Sequence, residues 1–248
     1  MRAMVLAAGL GTRLRPLTND RPKALVEVGG RPLITWNLEL LARFGIMDVV
    51  VNLHWHGDVL RRALGDGAAF GLRIQYSPED PLLDTGGGVK RAQALLGEDD
   101  FVVMNSDTIV DLALDQLIAR HRATGAAATL VLRRDPEQAR YGEIEIDADD
   151  RIRRFLGTPP TVSAPLRAFM FAGVHVMSPR IFDFMPADGG IFSLTRATYP
   201  AMLAAGVRLD GFPFDGFWRV IDTPNDRERA AHDLVNASLV HLRNLSRS

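Results

Sequence analysis

The stretch Met4–Leu33, MVLAAGLGTRLRPLTNDRPKALVEVGGRPL, joins an apolar run to a loop with two glycines and a series of cations. The run predicts a buried β-strand. Gly9 and Gly11 follow it, where the backbone can approach a ligand without interference from a Cβ atom. Arg13 and Lys23 come next, and free backbone N–H groups beside cations suit phosphate oxygens. The stretch therefore predicts a strand followed by an anion-binding loop.

Two named phosphate-binding loops can be compared with this one. The Walker A loop has a lysine directly after its final glycine, whereas here Thr12 and Arg13 follow Gly11. The dinucleotide-binding loop has a third glycine at the position of Leu14. Neither pattern fits. The residues alone leave two interpretations, which are a loop whose cations match a triphosphate and a solvated surface loop with ordinary basic residues.

Beyond this stretch, the first half of the chain alternates between apolar β-type runs and segments of helical period. The predicted strands are Ala3–Ala8, Asp48–Leu53, Leu72–Tyr76 and Phe101–Met104. The predicted helices are near Leu33–Phe44, Val59–Leu64, Gly88–Leu96 and Leu114–Ala123. This alternation predicts the α/β class, with a Rossmann-like, doubly wound, mostly parallel sheet. Ligands of such sheets bind beyond the carboxyl ends of the strands, where we place the glycine loop and Asn105–Asp107.

The second half is richer in strands and predicts a smaller antiparallel sheet over the pocket. Its predicted strands are Ala128–Leu132, Glu143–Asp147, Ile152–Phe155, Ala168–Met177, Arg208–Phe212 and Trp218–Ile221. Tyr141–Asp147 alternates polar and apolar residues, which is typical of a half-exposed strand. The predicted helices are Ser193–Ala205, with Ser193 as N-cap, and Asp222–Arg243, with Pro224 in its first turn. Since no linker separates the halves, we predict one domain over residues 1–248.

The composition restricts the class of protein. The 248 residues carry a net charge of −1, with 47% hydrophobic and 24% charged residues, as is usual for a globular chain with a sizeable core. No global positive field attracts nucleic acid or an anionic membrane. The absence of cysteine excludes disulfides, thiolate metal sites and thiol catalysis. The N-terminus lacks a signal-peptide pattern and every apolar run is shorter than about eighteen residues, so we expect a cytoplasmic protein.

A resemblance to a known family becomes specific in LAAGLGTRLRPLT…RPKAL, within Leu6–Leu25. This stretch resembles the signature loop of the sugar-1-phosphate nucleotidyltransferases, which use Mg²⁺ to condense a nucleoside triphosphate with a sugar 1-phosphate, releasing pyrophosphate. The resemblance continues through GGRPLITWNLELLARFGI, YSPEDPLLDTGGGVKRA, FVVMNSD, FAGVHVMSP and FWRVIDTP, in order along nearly the whole chain. It implies a nucleotide-binding half at 1–125, a sugar-phosphate-binding half at 126–248, and no C-terminal hexapeptide-repeat domain.

The resemblance also implies roles for individual residues. Arg13 would contact the phosphates that leave as pyrophosphate, and Lys23 would lie over the α-phosphate and neutralise charge during attack. Asp107 would hold Mg²⁺. The implied nucleotide-binding residues are Leu6, Ala7, Ala8, Gly9, Gly11, Thr12, Arg13, Glu79, Asp84, Thr85 and Gly86. The implied sugar-phosphate-binding residues are Asn105, Gly142, Glu143 and Gly173.

Two positions depart from the family pattern. The family has a second metal aspartate two residues after a tryptophan, but here Val220 follows Trp218 at that distance. Asp222 shares a strand face with position 220, so two interpretations are open, a substitute metal ligand and a cap of the next helix. The family's sugar-phosphate lysine is replaced by Thr158. The residues that could replace its charge are Arg153, Arg154 and Arg167.

These residues leave the base and the sugar open. YGEIEID, the Arg-Ile-x-x-Phe-x-Gly run and MFAGVHVMSP resemble mannose-1-phosphate guanylyltransferase-like relatives, which is our first choice. The Asp84–Gly88 run and the missing lysine resemble N-acetylmuramate-1-phosphate uridylyltransferases, the alternative. Val220 and Thr158 suggest an alternative of another class, a catalytically weak regulatory subunit that binds a nucleotide sugar. Leu14 argues against a dinucleotide-dependent oxidoreductase.

Two further features carry weaker signals. His54-Trp55-His56 places two imidazoles on one face of a strand, but no third metal ligand is evident, and we interpret the pair as structural. Apolar residues in the predicted closing helix are candidates for core or dimer contacts, so a homodimer is a candidate assembly. These residues are Leu234, Leu239, Val240 and Leu242.

Overall fold

The computed structural model describes residues 1–135 and 142–242. Its strands are β1 (Arg2–Leu6), β2 (Glu27–Val28), β3 (Arg31–Pro32), β4 (Asp48–Leu53), β5 (Arg73–Pro78), β6 (Phe101–Asn105), β7 (Thr108–Val110), β8 (Ala128–Arg133), β9 (Ile144–Ile146), β10 (Ile152–Phe155), β11 (Arg167–Met177), β12 (Leu209–Pro213) and β13 (Trp218–Val220). Its α-helices are α1 (Leu33–Arg43), α2 (Gly57–Leu64), α3 (Asp84–Arg91), α4 (Gln93–Leu96), α5 (Leu114–Thr124), α6 (Tyr199–Ala204) and α7 (Pro224–Asn236). In these residues, no helix has the length and apolar character needed to cross a membrane.

The contacts divide the chain into two compact units, each built from separate segments. The first unit comprises Met1–Leu82, Met104–Leu114 and Gly216–Ser248, and the second comprises Leu83–Val103 and Asp115–Asp215. The chain therefore enters each unit more than once. That residues 1–248 act as one domain with two functional halves stays a prediction.

The first unit contains a parallel ladder, in which β4 pairs with both β1 and β5. Val49, Val50 and Val51 of β4 are buried, as expected of a strand covered on both faces. Two antiparallel ladders, β2–β3 and β7–β13, belong to the same unit. The carboxyl ends of β1, β4 and β5 lie at one edge, which is the predicted place for a binding loop.

The second unit contains a mixed sheet. Its strands follow the order β10–β9–β11–β8–β12, in which only the β8–β12 pair is parallel. Ile144 and Ile146 of β9 are buried while Glu145 between them is partly exposed, as the alternation of this segment predicts. The predicted α/β class, with parallel and antiparallel pairs, is confirmed.

The predicted closing helix is wrong at its C-terminal end, because α7 stops at Asn236. The buried carboxylate of Asp111 accepts hydrogen bonds from the backbone N–H groups of Val240, His241 and Leu242, at 2.6, 2.7 and 2.8 Å. These amides cannot also bind helical carbonyls, so the chain leaves the helix to reach Asp111. Arg243, the last residue of the predicted helix, lies outside the described residues, as does Tyr141.

The predicted helix Gly88–Leu96 also has different bounds. Helix α3 begins four residues earlier, at Asp84, and a break at Ala92 separates it from α4. The three glycines Gly86, Gly87 and Gly88 therefore lie inside a helix, where glycine is unfavourable. In contrast, Ser193 is an N-cap as predicted. It precedes a π-helical turn, Leu194–Thr198, that leads into α6, and its side chain accepts a hydrogen bond from the Arg196 N–H at 3.4 Å.

His175 is buried inside the second unit and makes the stability of the fold depend on pH. Burial lowers the pKa of His175 from 6.5 to about 3, and its Nδ1 shares a 2.6 Å hydrogen bond with the Tyr199 hydroxyl. Between these two pKa values the unfolded chain binds a proton that the folded chain does not bind. Stability is therefore fully present above pH 6.5 and falls as the pH decreases.

We expect His175 to lower the free energy of unfolding by about 2 kcal/mol between pH 7 and pH 5. Urea unfolding at the two pH values measures this difference. The double variant His175→Phe/Tyr199→Phe removes both polar partners and is expected to lose most of the difference. The exposed His232, changed to Gln, is the matched control and keeps it. An equal acid sensitivity in the double variant and the wild type would contradict this account.

Candidate active site

Three side chains from distant parts of the sequence meet in the first unit. The Lys23 ammonium donates hydrogen bonds to Asp107 Oδ2 at 2.8 Å and to Asp222 Oδ1 at 2.7 Å. The lysine and Asp222 side chains are only 13% and 8% exposed. Arg13 joins the group, with its Nη2 at 2.9 Å from Asp222 Oδ1. We call these four residues the Lys23 cluster.

The β7–β13 ladder explains why the two carboxylates meet. Asp107 immediately precedes β7, and Asp222 lies two residues after β13. The strands are antiparallel, with Val220 opposite Thr108, so the start of one lies beside the end of the other. The Ile221 N–H extends the pairing by donating to the Asp107 carbonyl at 2.9 Å. The backbone therefore holds both aspartates at one end of the ladder.

Asp222 does not cap α7, so that interpretation is wrong. The N-cap is Thr223, whose side chain accepts from the Asp226 N–H, while the Asp226 carboxylate accepts from the Thr223 N–H. This reciprocal capping box satisfies the start of the helix. The Asp222 carboxylate is directed to Lys23 and Arg13 instead. Its role as a metal ligand stays a prediction.

The environment of Lys23 keeps the ammonium charged. Burial by itself lowers the pKa of Lys23, but the charges and hydrogen bonds of Asp107 and Asp222 outweigh burial, and the net pKa is raised above 10.5. The stabilisation from this pairing is therefore present below pH 10.5 and is lost only as the pH rises through the raised pKa. At neutral pH the site therefore contains a charged and largely desolvated ammonium.

The glycine loop after β1 packs against the segment that carries Lys23. Gly11 has φ +63°, and a Cβ atom there would lie 3.0 Å from Thr18 Cγ2 and 3.1 Å from Lys23 Cβ. The Thr18 hydroxyl donates to the Gly11 carbonyl at 2.8 Å. A larger residue at position 11 would therefore push these two segments apart. Next to it, Thr12 begins a short 3₁₀ turn that carries Arg13.

Gly9 differs from Gly11, because a Cβ atom at Gly9 would meet nothing within 4 Å. Space beside the loop is thus open at this residue. Leu6 ends β1, and Ala7 and Ala8 follow it as buried residues. The structure places these predicted nucleotide-binding residues on the same strand–loop connection.

Sequence reasoning missed Asn52, which joins three strand ends in the first unit. Its Oδ1 accepts from the Ala7 N–H at 2.6 Å, and its Nδ2 donates to Glu79 Oε1 at 2.7 Å. Glu79, one of the predicted nucleotide-binding residues, is buried. The available signal was a polar amide inside the apolar strand Asp48–Leu53. Asn105 is held in a similar way, because its carbonyl accepts from Asn37 Nδ2 at 2.9 Å.

Trp55 and its two histidine neighbours contact backbone carbonyls, in agreement with the interpretation of the histidine pair as structural. Trp55 Nε1 donates to the Thr18 carbonyl at 3.2 Å, and His56 Nε2 lies 3.0 Å from the Asn19 carbonyl. His54 Nδ1 lies 3.0 Å from the Glu79 carbonyl. Among the described residues, no group of three or more His, Asp or Glu side chains forms a metal site.

The second unit holds the other predicted nucleotide-binding residues at the start of α3. The N–H groups of Gly86 and Gly87 donate to the Phe192 carbonyl at 2.9 and 3.1 Å, and Thr85 Oγ1 accepts from the Leu194 N–H. A Cβ atom on Gly86 would lie 2.4 Å from the Phe192 ring. A Cβ atom on Gly87 would lie 2.1 Å from the Gly190 carbonyl oxygen, so both glycines are required for packing against the chain itself. Nucleotide binding by Asp84, Thr85 and Gly86 stays a prediction.

The predicted sugar-side residues also lie in the second unit. Gly142 has φ +88°, and a Cβ atom there would lie 2.2 Å from Leu156 Cδ2. The Glu143 carbonyl accepts from the Leu156 N–H at 2.9 Å. Gly173, with φ +82°, lies where the pairing of β11 with β8 shifts register. These glycines have backbone reasons for their presence, and their sugar-binding role stays a prediction.

Each arginine that could replace the missing lysine is paired with a carboxylate. Arg154 binds Glu145 through two nitrogens, and Arg167 Nη2 donates to Asp150 Oδ1 at 2.6 Å. Arg153 forms a looser ion pair with Asp147, at 3.7 Å. The structure therefore does not single out one of them as the partner of a sugar phosphate.

Comparison with known proteins places this geometry in a family. The model of the nucleotidyl transferase family matches residues 2–235. The chain is 35% identical over 237 residues to the mannose-1-phosphate guanylyltransferase of Mycobacterium tuberculosis, with coverage of 94% of this chain and 64% of the relative. It is 35% identical to the mannose-1-phosphate guanyltransferase of Aspergillus fumigatus, covering 91% and 62%. The chain thus spans less than two thirds of the length of these curated relatives.

Solved structures show the same fold. A putative glucose-1-phosphate thymidylyltransferase from Bacillus anthracis superposes with a TM-score of 0.80 at 21% identity, covering 94% of both chains. HddC from Yersinia pseudotuberculosis, complexed with GMP-PN, superposes with a TM-score of 0.76 at 22% identity, covering 94% of this chain and 98% of that chain. At these identities the likeness concerns the fold.

Proposed function

We propose, from the premise that this chain belongs to the nucleotidyl transferase family, that it transfers a nucleoside monophosphate from an NTP to a sugar 1-phosphate. Pyrophosphate is the second product. The observation that carries this proposal is the Lys23 cluster, because it joins a largely desolvated ammonium, an arginine and two carboxylates beside a glycine loop. These groups match the charges of a triphosphate and its metal ion.

The chemistry needs charge stabilisation more than proton transfer. An oxygen of the sugar phosphate attacks the α-phosphorus and forms a new P–O bond, while the α–β bridging bond breaks and its electrons leave with pyrophosphate. The attacking oxygen is already ionised, so no general base is required. Lys23 would neutralise the α-phosphate, and Arg13 would bind the departing phosphates.

The donor set fits a divalent metal ion. Asp107 and Asp222 place carboxylate oxygens on both sides of one cation, the Lys23 ammonium, which acts as a stand-in for the metal charge. Mg²⁺ commonly uses one or two carboxylates plus substrate phosphates and water. When bound, the ion supplies charge neutralisation and orients the phosphates. Asp107 and Asp222 are the residues that would hold it.

GTP and mannose 1-phosphate are the proposed substrates. The names of the curated relatives support this choice over UTP and N-acetylmuramate 1-phosphate. A cytoplasmic location and a homodimer stay predictions.

The test is pyrophosphate release with Mg²⁺, measured for each of four NTPs against a series of sugar 1-phosphates. We expect release above background for one preferred pair, with GTP and mannose 1-phosphate as the first pair to try. Release only with UTP and N-acetylmuramate 1-phosphate would keep the reaction and replace the substrates. No release with any pair, from a folded protein that binds a nucleotide sugar, would favour the regulatory subunit.

A further inference from the structure

The Lys23 ammonium occupies the space between the two carboxylates that we assign to the metal. Its distances to Asp107 Oδ2 and Asp222 Oδ1 are 2.8 and 2.7 Å, so it satisfies one oxygen of each. A divalent cation placed between Asp107 and Asp222 would take the space that the ammonium fills. The ammonium and the metal ion therefore compete for one place.

Lysine at position 23 is suited to a charged group that moves between two sets of anionic partners. The chain contains 27 arginines and only two lysines, Lys23 and Lys90. An arginine would present a rigid planar fork that binds carboxylates bidentately, whereas an ammonium is a compact charge on a flexible stem. A lysine can thus leave one pair of acceptors for another by rotating its own side chain.

The backbone segments that carry the two carboxylates, in contrast, are held in place. Asp107 is fixed through the backbone pairing of its carbonyl with the Ile221 N–H, and its Oδ1 accepts from the Thr108 hydroxyl at 3.2 Å. Asp222 is fixed by its position directly before the capping box of α7. Lys23 and Arg13, on their long side chains, are therefore the more mobile partners of two short acids on a fixed backbone.

We propose that Lys23 excludes the divalent metal from Asp107 and Asp222 until a triphosphate draws the ammonium away. This inference rests on the proposed function of the site. The triphosphate offers Lys23 a new anionic partner and leaves the carboxylates free for the metal ion. Arg13, whose side chain is 62% exposed, can turn from Asp222 to the phosphates in the same step. Metal and triphosphate then favour each other's binding, and the coupling is reciprocal.

The test measures Mn²⁺ binding without any nucleotide, by electron paramagnetic resonance of the free ion. We expect Lys23→Met to bind Mn²⁺ about ten-fold more tightly than the wild type, since it removes the competing cation. Lys90→Met is the matched control. Lys90 lies over the Phe182 ring in the second unit, and its loss is expected to leave Mn²⁺ binding unchanged. The double variant Lys23→Met/Asp222→Asn is expected to lose the gain, which assigns the gain to these carboxylates.

A second variant and a second readout keep the test valid if Lys23→Met fails to fold. Lys23→Arg keeps the positive charge and is expected to bind Mn²⁺ no more tightly than the wild type. In thermal unfolding, Mn²⁺ is expected to raise the Tm of Lys23→Met by more than that of the wild type. Equal or weaker Mn²⁺ binding by a folded Lys23→Met would overturn the inference, as would a gain that survives in the double variant.

The two proposals can fail separately. Pyrophosphate release by the wild type together with unchanged Mn²⁺ binding by Lys23→Met would leave the reaction in place and remove the competition. Tighter Mn²⁺ binding by Lys23→Met without pyrophosphate release from any pair would support the competition and remove the transferase activity.

Discussion

Turnover in pyrophosphate release is expected to fall by about 10²–10³ when Lys23 is changed to Met, the size of effect typical for loss of one charge-stabilising donor. The ammonium is desolvated and paired with two carboxylates in the ligand-free site, so water cannot easily replace it. We expect the decrease to be in kcat and not in KM, because the charge on the α-phosphate grows as the new bond forms. Steady-state kinetics at saturating NTP and sugar 1-phosphate measure it.

The matched control for this variant is the chain's other lysine. Lys90→Met changes the net charge by the same amount and is expected to retain wild-type kcat. Circular dichroism and thermal unfolding verify that both variants fold. A folded Lys23→Met enzyme with turnover near that of the wild type would remove Lys23 from the proposed chemistry.

Asp222→Asn is expected to lower turnover by about 10² and to raise the Mg²⁺ concentration for half-maximal activity, since metal-bound carboxylates need their full charge. The amide keeps the size of the side chain and one oxygen toward Lys23, so packing is preserved. The measurement is a Mg²⁺ titration of pyrophosphate release. A change in the Mg²⁺ requirement separates a metal ligand from a residue that only holds Lys23.

Asp215→Asn, at an exposed aspartate in the same part of the sequence, serves as the control. It is expected to leave turnover and the Mg²⁺ requirement unchanged. If Asp222→Asn lowered turnover at an unchanged Mg²⁺ requirement, Asp222 would be a positioning residue for Lys23 and Arg13. The metal assignment would then rest on Asp107 alone.

Much of the strand and helix pattern was predictable because burial leaves a local signature. The bounds of Asp48–Leu53 and Ile152–Phe155 agree with β4 and β10, where apolar side chains must occupy each covered face. The cap of α7 also had a local signal, since Thr223 and Asp226 have the spacing of a capping box. Because Thr223 is the N-cap, the Asp222 carboxylate is not needed to cap the helix. Periods and caps depend on neighbours in sequence, so the sequence contains them.

The failures came from partners far away in the chain. The closing helix ends early because of Asp111, about 130 positions before the amides that it binds. Gly86 in α3 is explained by Phe192, which no local pattern connects with it. Asn52 was missed because its role is to connect Ala7 and Glu79 by hydrogen bonds at the ends of three strands. A hydrogen bond between residues far apart in the chain produces no periodic pattern in the sequence, so it could not be predicted.

The sequence by itself determined the α/β class, the glycine loop and the residue types of the site, because burial, turns and charge depend on residues that are close together in the chain. Only the tertiary structure decided that Asp222 faces Lys23, and that this ammonium lies between two carboxylates. The reason is that the β7–β13 ladder sets that geometry by pairing strands more than a hundred residues apart. Strand pairing is decided by the competition of whole segments for partners, which no single stretch of the chain records.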